Sequence, residues 1–128
     1  MKFAVIIARY QNQCVFCKHK DRDTWEVPGC HREAGEAIEQ TAKRELREET
    51  GAESFSLNPL CVYSVTEPDQ FNGNKTFGML YYADVFSFDK ELYYEIEKIS
   101  ITESLPDNWT YPDIQPMLLH KAEEIGVI

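Results

Sequence analysis

The first twenty residues carry two short apolar runs. KFAVIIAR (2–9) and QCVFCKH (13–19) are separated by the polar pair Gln11–Asn12. Runs of this length, rich in β-branched and aromatic residues and bounded by turn residues, predict buried strands. KDRDTWEVPG is polar, becomes briefly extended at Trp25–Val27, and ends on a Pro-Gly break. The spacing then turns helical from about Glu36 to Thr50, with Gly35 before it and Gly51 where a helix C′ glycine belongs. After Asn58-Pro59, LCVYSVTE predicts a strand, and a turn follows around residues 71–74. KTFGMLYYADVFSF predicts a long strand, and EIEKISITE (95–103) alternates charge with isoleucine, as a half-buried strand does. Pro112-Asp113 opens a last helix, DIQPMLLHKAEEIG. Neither a repeat nor a low-complexity linker interrupts this order. Residues 1–128 therefore read as a single layered domain of the α/β (α+β) class.

Within the helix, AIEQTAKRELREETG places Glu45, Glu48 and Glu49 in five positions. At about 100° per residue, with Glu45 at zero, Ile38, Ala42 and Leu46 lie at about 20°, 60° and 100°. That is the apolar stripe, which faces the body of the protein. Glu49 falls at about 40°, inside the stripe, and Glu48 at about −60°, at its edge. Gln40, Lys43 and Arg47 cluster on the opposite side. A solvated charge run belongs on the outward face, and this one turns inward. A partly buried carboxylate is paired, protonated or metal-bound. Arg44 can pair with Glu48 at i, i+4. The alternatives are thus a structural ion network or a cation site. An all-oxygen set suits a hard ion such as Mg²⁺, Mn²⁺ or Ca²⁺. The sequence lacks EF-hand spacing, which counts against calcium.

Thirteen basic and 22 acidic residues give a net charge of −9, so a nucleic-acid polymer is not an expected partner. A small phosphate ligand remains compatible if divalent cations accompany it. No apolar run reaches the ~18 residues of a membrane span, and MKFAVIIARY lacks the features of a signal peptide. Four cysteines without a secretory signal point to reduced thiols and a cytoplasmic location.

Residues 30–52 resemble the Nudix hydrolase signature, G-x5-E-x7-R-E-U-x-E-E-x-G-U, where U is a bulky aliphatic residue. Here it reads Cys30-HREAG-Glu36-AIEQTAK-Arg44-Glu45-Leu46-Arg47-Glu48-Glu49-Thr50-Gly51-Ala52. The preceding TWEVPG is similar to the family's extended lead-in. The resemblance implies an α/β/α sandwich with a mixed sheet, and hydrolysis of a nucleoside diphosphate linked to another group. It implies that Glu45, Glu48 and Glu49 ligate Mg²⁺ or Mn²⁺, with a backbone carbonyl near Gly29–Cys30 as a further ligand. Arg44 matches the arginine that orients those carboxylates, and Glu36 the acidic residue that braces the loop on the helix. Members often recruit another acidic residue beyond the signature. Glu95, with Glu91 and Glu97 behind it, is the candidate here, and an exposed strand residue is the competing reading.

The first signature glycine is Cys30 in this chain. A glycine there serves φ > 0 or close backbone approach, and a left-handed non-glycine residue costs roughly 1–2 kcal/mol. Soft sulfur is a poor ligand for Mg²⁺, so Cys30 bears instead on oxidation or the choice of ion. Ala52 is smaller than the usual final residue. Cys14-x-x-Cys17 has a zinc-like spacing, but positions i and i+3 of a strand point to opposite faces, which favours core thiols. His19 and His31 flank the site, as phosphate contacts or as surface histidines. Phe3, Trp25, Phe77, Tyr81 and Tyr82 are candidates to stack a base or to fill the core. Asp113 and Gln115 are candidates to read a purine edge, with Asp113 alternatively a helix cap. The resulting expectation is a pyrophosphohydrolase acting on a nucleoside triphosphate, such as 8-oxo-dGTP, to give the monophosphate and pyrophosphate. A dinucleotide polyphosphate or nucleotide sugar is the enzyme alternative. A nucleotide-binding domain with a degraded site is the non-enzyme alternative. The oligomeric state is not legible.

Overall fold

The computed structural model describes residues 1–66, 75–89 and 96–128. Its elements run β1 (Phe3–Tyr10), β2 (Gln13–His19), β3 (Gly29–His31), α1 (Ile38–Thr50), β4 (Ala52–Thr66), β5 (Lys75–Phe88), β6 (Ile96–Thr102) and α2 (Gln115–Ile125). One mixed sheet has the order β4-β5-β1-β2-β6, and β3 pairs with β1 beside that path. The expected mixed-sheet sandwich is what the chain forms.

Why the run in β1 is unbroken follows from its place. Ala4, Ile6 and Ala8 pack with Ala42 and Leu46 of α1. Val5 and Ile7 pack with Leu118, Leu119 and Ala122 of α2 on the opposite face. A central strand covered on both sides needs apolar residues at every position. The β1–β2 turn places Gln11 and Asn12 at φ 50° and 66°, the double left-handed geometry whose twist matches a hairpin.

One edge of β1 runs parallel to β5 from Phe3 to Arg9. Its other edge is shared. β2 pairs at Arg9 and Tyr10, whereas β3 pairs at Phe3, Ala4 and Val5. This fork carries Pro28–Cys30 under the α1 helix. Gly29 lies so close to β1 that an added Cβ would stand 2.6 Å from the Ala4 carbonyl oxygen and 3.1 Å from Val5 Cα. Backbone atoms cannot swing aside as a side chain does. Gly29→Ala is therefore expected to destabilise the fold by about 1–3 kcal/mol, read as a lower urea midpoint in equilibrium unfolding.

β4 departs from its expected limits. It starts directly after Gly51 and runs through Asn58-Pro59. It lies at the end of the sheet order, and its register with β5 shifts between Pro59 and Cys61. An edge position with a bulge tolerates a residue that has no N–H to donate. α2 starts two residues after Asp113, with Ile114 in the capping position and no side-chain cap bond. Asp113 is thus exposed and not the cap. The segment expected to turn around residues 71–74 lies outside the described residues. Among the described residues, no helix is long and apolar enough to cross a membrane.

Candidate active site

The inward reading of α1 holds in three dimensions. Ala42 and Leu46 are fully buried, and Glu45 and Glu49, on the same side, are only 6% and 5% exposed. Gln40, Lys43 and Arg47 face outward. The helix starts at Ile38, where the Gln40 side chain accepts a hydrogen bond from the Ala37 N–H (2.9 Å). It stops at Gly51, which takes φ 76° and donates its N–H to the Arg47 carbonyl (2.9 Å). That left-handed terminal residue is the C′ conformation that glycine adopts without a Cβ penalty.

Arg44 organises the outer half of the site. Its Nε and one terminal nitrogen grip Glu36 at 2.8 and 3.0 Å. Its other terminal nitrogen donates to Glu45 at 2.6 Å and to Glu48 at 3.2 Å. Thr41, buried beneath, adds a hydrogen bond to Glu36 at 2.9 Å. The guanidinium holds the Glu36 carboxyl down at about 2, with help from the Glu33 N–H and Thr41. A carboxyl depressed in the fold adds stability above its ordinary value of 4.5, and that contribution is lost as pH falls toward about 2. The acid unfolding of the wild type below pH 4.5 should therefore be steeper than that of Glu36→Gln, as followed by circular dichroism against pH.

Glu49 forms the inner half. Its Oε1 accepts the Gly29 N–H at 2.7 Å, and its Oε2 lies 2.8 Å from His19 Nε2. Burial raises the proton affinity of Glu49, against the hydrogen bonds from His19 and Gly29, with Glu45 and Glu26 adding to the rise. The Glu49 bond in turn raises that of His19. Glu26 joins them: its Oε1 is 3.0 Å from His19 Nε2, and its Oε2 accepts from Arg22 at 2.9 Å. Glu26 is 3% exposed and was not singled out by sequence. The available signal is alternation, since Trp25 and Val27 pack toward α2 and the residue between them must face α1.

Cys30 takes a place in β3 opposite Ala4. Among the described residues the positive-φ non-glycine positions are Gln11 and Asn12 alone, so Cys30 carries no left-handed strain. The close-approach glycine of the loop is Gly29. Burial, with Glu45 next, pushes the Cys30 thiol up to about 11. It stays a neutral thiol at pH 7, which makes it a poor nucleophile.

A cavity of about 170 Å³ opens beside the loop, walled by Phe3, Cys30, His31, Tyr63, Tyr111 and Ile114. Tyr63 is seated by Gly78 across the β4–β5 pair, where a Cβ would stand 2.5 Å from the Tyr63 ring. Phe3 and His31 meet edge-on at 4.5 Å. Gln115 borders the cavity, but its amide is committed elsewhere: Val27 N–H donates to Oε1 at 2.9 Å, and Nε2 donates to the Val27 carbonyl at 3.4 Å. The amide pins α2 to the loop and is not a free reader of a base edge. Trp25 is not part of the cavity wall, and Lys98 stands 5.7 Å over its ring. Tyr81 is core. Glu95 and Glu91 lie outside the described residues, as does the Glu97 side chain.

The oxygen donors suit a hard divalent cation. Glu45 and Glu48 meet at Arg44, and Glu49 lies over the Gly29 N–H at the fork. The Arg44 guanidinium contacts Glu36, Glu45 and Glu48 together.

The NUDIX domain family model matches residues 1–101. A Bacillus subtilis (strain 168) protein named "Putative 8-oxo-dGTP diphosphatase YtkD" is 29% identical over 99% of this chain and 84% of its own length. The crystal structure of a mutant of the Bacillus subtilis pyrophosphohydrolase BsRppH superposes with a TM-score of 0.79 at 28% identity, covering 98% of this chain and 82% of that one. A Caenorhabditis elegans Ap4A hydrolase shares the fold at 15% identity and a TM-score of 0.71, covering 99% of this chain and 100% of that one. With its signature glutamates gathered on α1 over the Gly29 loop, and the family model matching from residue 1 to residue 101, the chain belongs to the NUDIX family and is a hydrolase of nucleotide derivatives.

Proposed function

We propose that the protein hydrolyses a nucleoside triphosphate to the monophosphate and pyrophosphate, with Mg²⁺ or Mn²⁺ held by Glu45, Glu48, Glu49 and the Gly29 carbonyl. The observation that carries this reading is the set of α1 carboxylates held at Arg44 and over the Gly29 loop, beside an aromatic cavity of about 170 Å³. Such an ion supplies charge neutralisation for the polyphosphate and Lewis-acid activation of the attacking water.

The chain's own groups do the rest. Phe3, Tyr63 and Tyr111 offer a base flat apolar surfaces, and stacking of this kind contributes about 1–3 kcal/mol per base. Glu49 Oε1 accepts the Gly29 N–H, which fixes the loop against the helix that carries the ligands. Arg44 fixes Glu45 and Glu48 so that little reorganisation is needed during reaction. The name borne by the Bacillus subtilis relative supports 8-oxo-dGTP as the first compound to try.

The test is a panel with Mg²⁺ or Mn²⁺: 8-oxo-dGTP, the ordinary nucleoside triphosphates, dinucleotide polyphosphates and nucleotide sugars. Products are resolved by phosphorus NMR. Release of pyrophosphate from a triphosphate, with the highest kcat/KM on 8-oxo-dGTP, is the expected result. Preference for a dinucleotide polyphosphate or a nucleotide sugar overturns the substrate assignment. Nucleotide binding without turnover across the panel overturns the enzymatic one.

A further inference from the structure

Behind the glutamate helix lies a second group of donors with different chemistry. Cys17 Sγ, His19 Nε2, a Glu26 oxygen and a Glu49 oxygen all lie within 4.8 Å of one another. They come from three places: β2 supplies Cys17 and His19, the extended lead-in supplies Glu26, and α1 supplies Glu49. Cys17 is fully buried, and Glu26 and Glu49 are 3% and 5% exposed. Cys14, three residues before Cys17, packs on the α2 side and takes no part.

How the oxygens are held is informative. Glu49 Oε1 is tied to the Gly29 N–H, and Glu26 Oε2 is tied to Arg22. Each carboxylate then turns its other oxygen onto one imidazole nitrogen, His19 Nε2, at 2.8 and 3.0 Å. That nitrogen has at most one hydrogen to give to two anionic oxygens. The Cys17 thiol, 3.5 Å from the Glu26 carbonyl oxygen, closes the fourth side. A nitrogen, a sulfur and two carboxylate oxygens from a closed pocket match the donor set of a tetrahedral transition-metal site. They do not match the hard oxygen shell that Mg²⁺ takes.

We infer that Cys17, His19, Glu26 and Glu49 form a second cation site, specific for a borderline divalent ion such as Zn²⁺ or Co²⁺ and adjoining the Glu45–Glu48–Glu49 set through Glu49. Binding requires the Cys17 thiol to release its proton to solvent and the His19 Nε2 to present its lone pair, and the ion sits between the four donors. Tetrahedral closure by four side chains makes it a site of retention rather than of substrate contact.

The test is titration of the full chain with Co²⁺ alone, followed by visible and near-ultraviolet absorption, then displacement by Zn²⁺ and challenge with excess Mg²⁺. Intense ligand-field bands and a thiolate-to-cobalt band are expected, bleached by Zn²⁺ and insensitive to Mg²⁺. His19→Gln and Cys17→Ser should each weaken Co²⁺ binding by about 10–100-fold, and Cys17→Ser should remove the thiolate band. Glu45→Gln should leave the spectrum in place. Circular dichroism of each variant shows that it is folded. Bands that survive both His19→Gln and Cys17→Ser but vanish in Glu45→Gln, or no Co²⁺ spectrum from the folded wild type, would overturn the assignment.

Discussion

Glu49→Gln is expected to lower kcat/KM on the preferred nucleotide by about 100-fold or more, because it removes a charged ligand of the proposed cation. The substitution keeps the shape of the side chain, so its amide oxygen can still accept the Gly29 N–H that Glu49 Oε1 accepts at 2.7 Å. It removes one charge from a group in which Glu45 and Glu26 already push the Glu49 proton affinity upward. The metal-free variant should therefore unfold at the same temperature as the wild type or higher. Loss of activity at constant or improved stability is the mark of a functional charge held against its own folding preference. A variant that loses activity and unfolds much earlier would instead make Glu49 a structural residue.

Arg44→Lys is the second large effect. Lysine keeps the positive charge but not the planar fork. The fork contacts Glu36 at two points and reaches Glu45 and Glu48 from its other nitrogen. A single ammonium cannot hold all three carboxylates in place. Support of this kind around a cation site is worth about 10–100-fold in metal affinity or activity. The Mg²⁺ concentration for half-maximal rate should rise by that factor, while kcat at saturating Mg²⁺ falls less. An unchanged Mg²⁺ requirement would show that Arg44 does not position the ligands.

Much of this site is local in sequence, and that is why it is legible there. Helical spacing alone turns Glu45 and Glu49 inward with Ala42 and Leu46, and the structure buries all four. The Arg44–Glu48 pair is likewise an i, i+4 relation, found at 3.2 Å. What the sequence hides is non-local. His19 meets Glu49 across thirty positions because the β1 edge forks between β2 and β3, and no periodicity reports such a fork. Gln115 looks free to read a ligand until Val27 is seen opposite it. Cys30 stands where the signature has glycine, yet the backbone contact that demands glycine falls one residue earlier, at Gly29. The start of β4 is masked by Asn58-Pro59, which reads as a break but lies within an edge strand beside a register shift.

The central claim is that hydrolysis depends on a divalent cation held by the α1 glutamates. Pyrophosphate release should be followed on the best triphosphate with Mg²⁺, after chelation, and after Mg²⁺ is restored, for the wild type and Glu48→Gln. The account predicts turnover that stops on chelation and returns with Mg²⁺ in the wild type, and none in folded Glu48→Gln under any of the three conditions. Turnover that persists under the chelator, or a Glu48→Gln rate equal to that of the wild type, would contradict it.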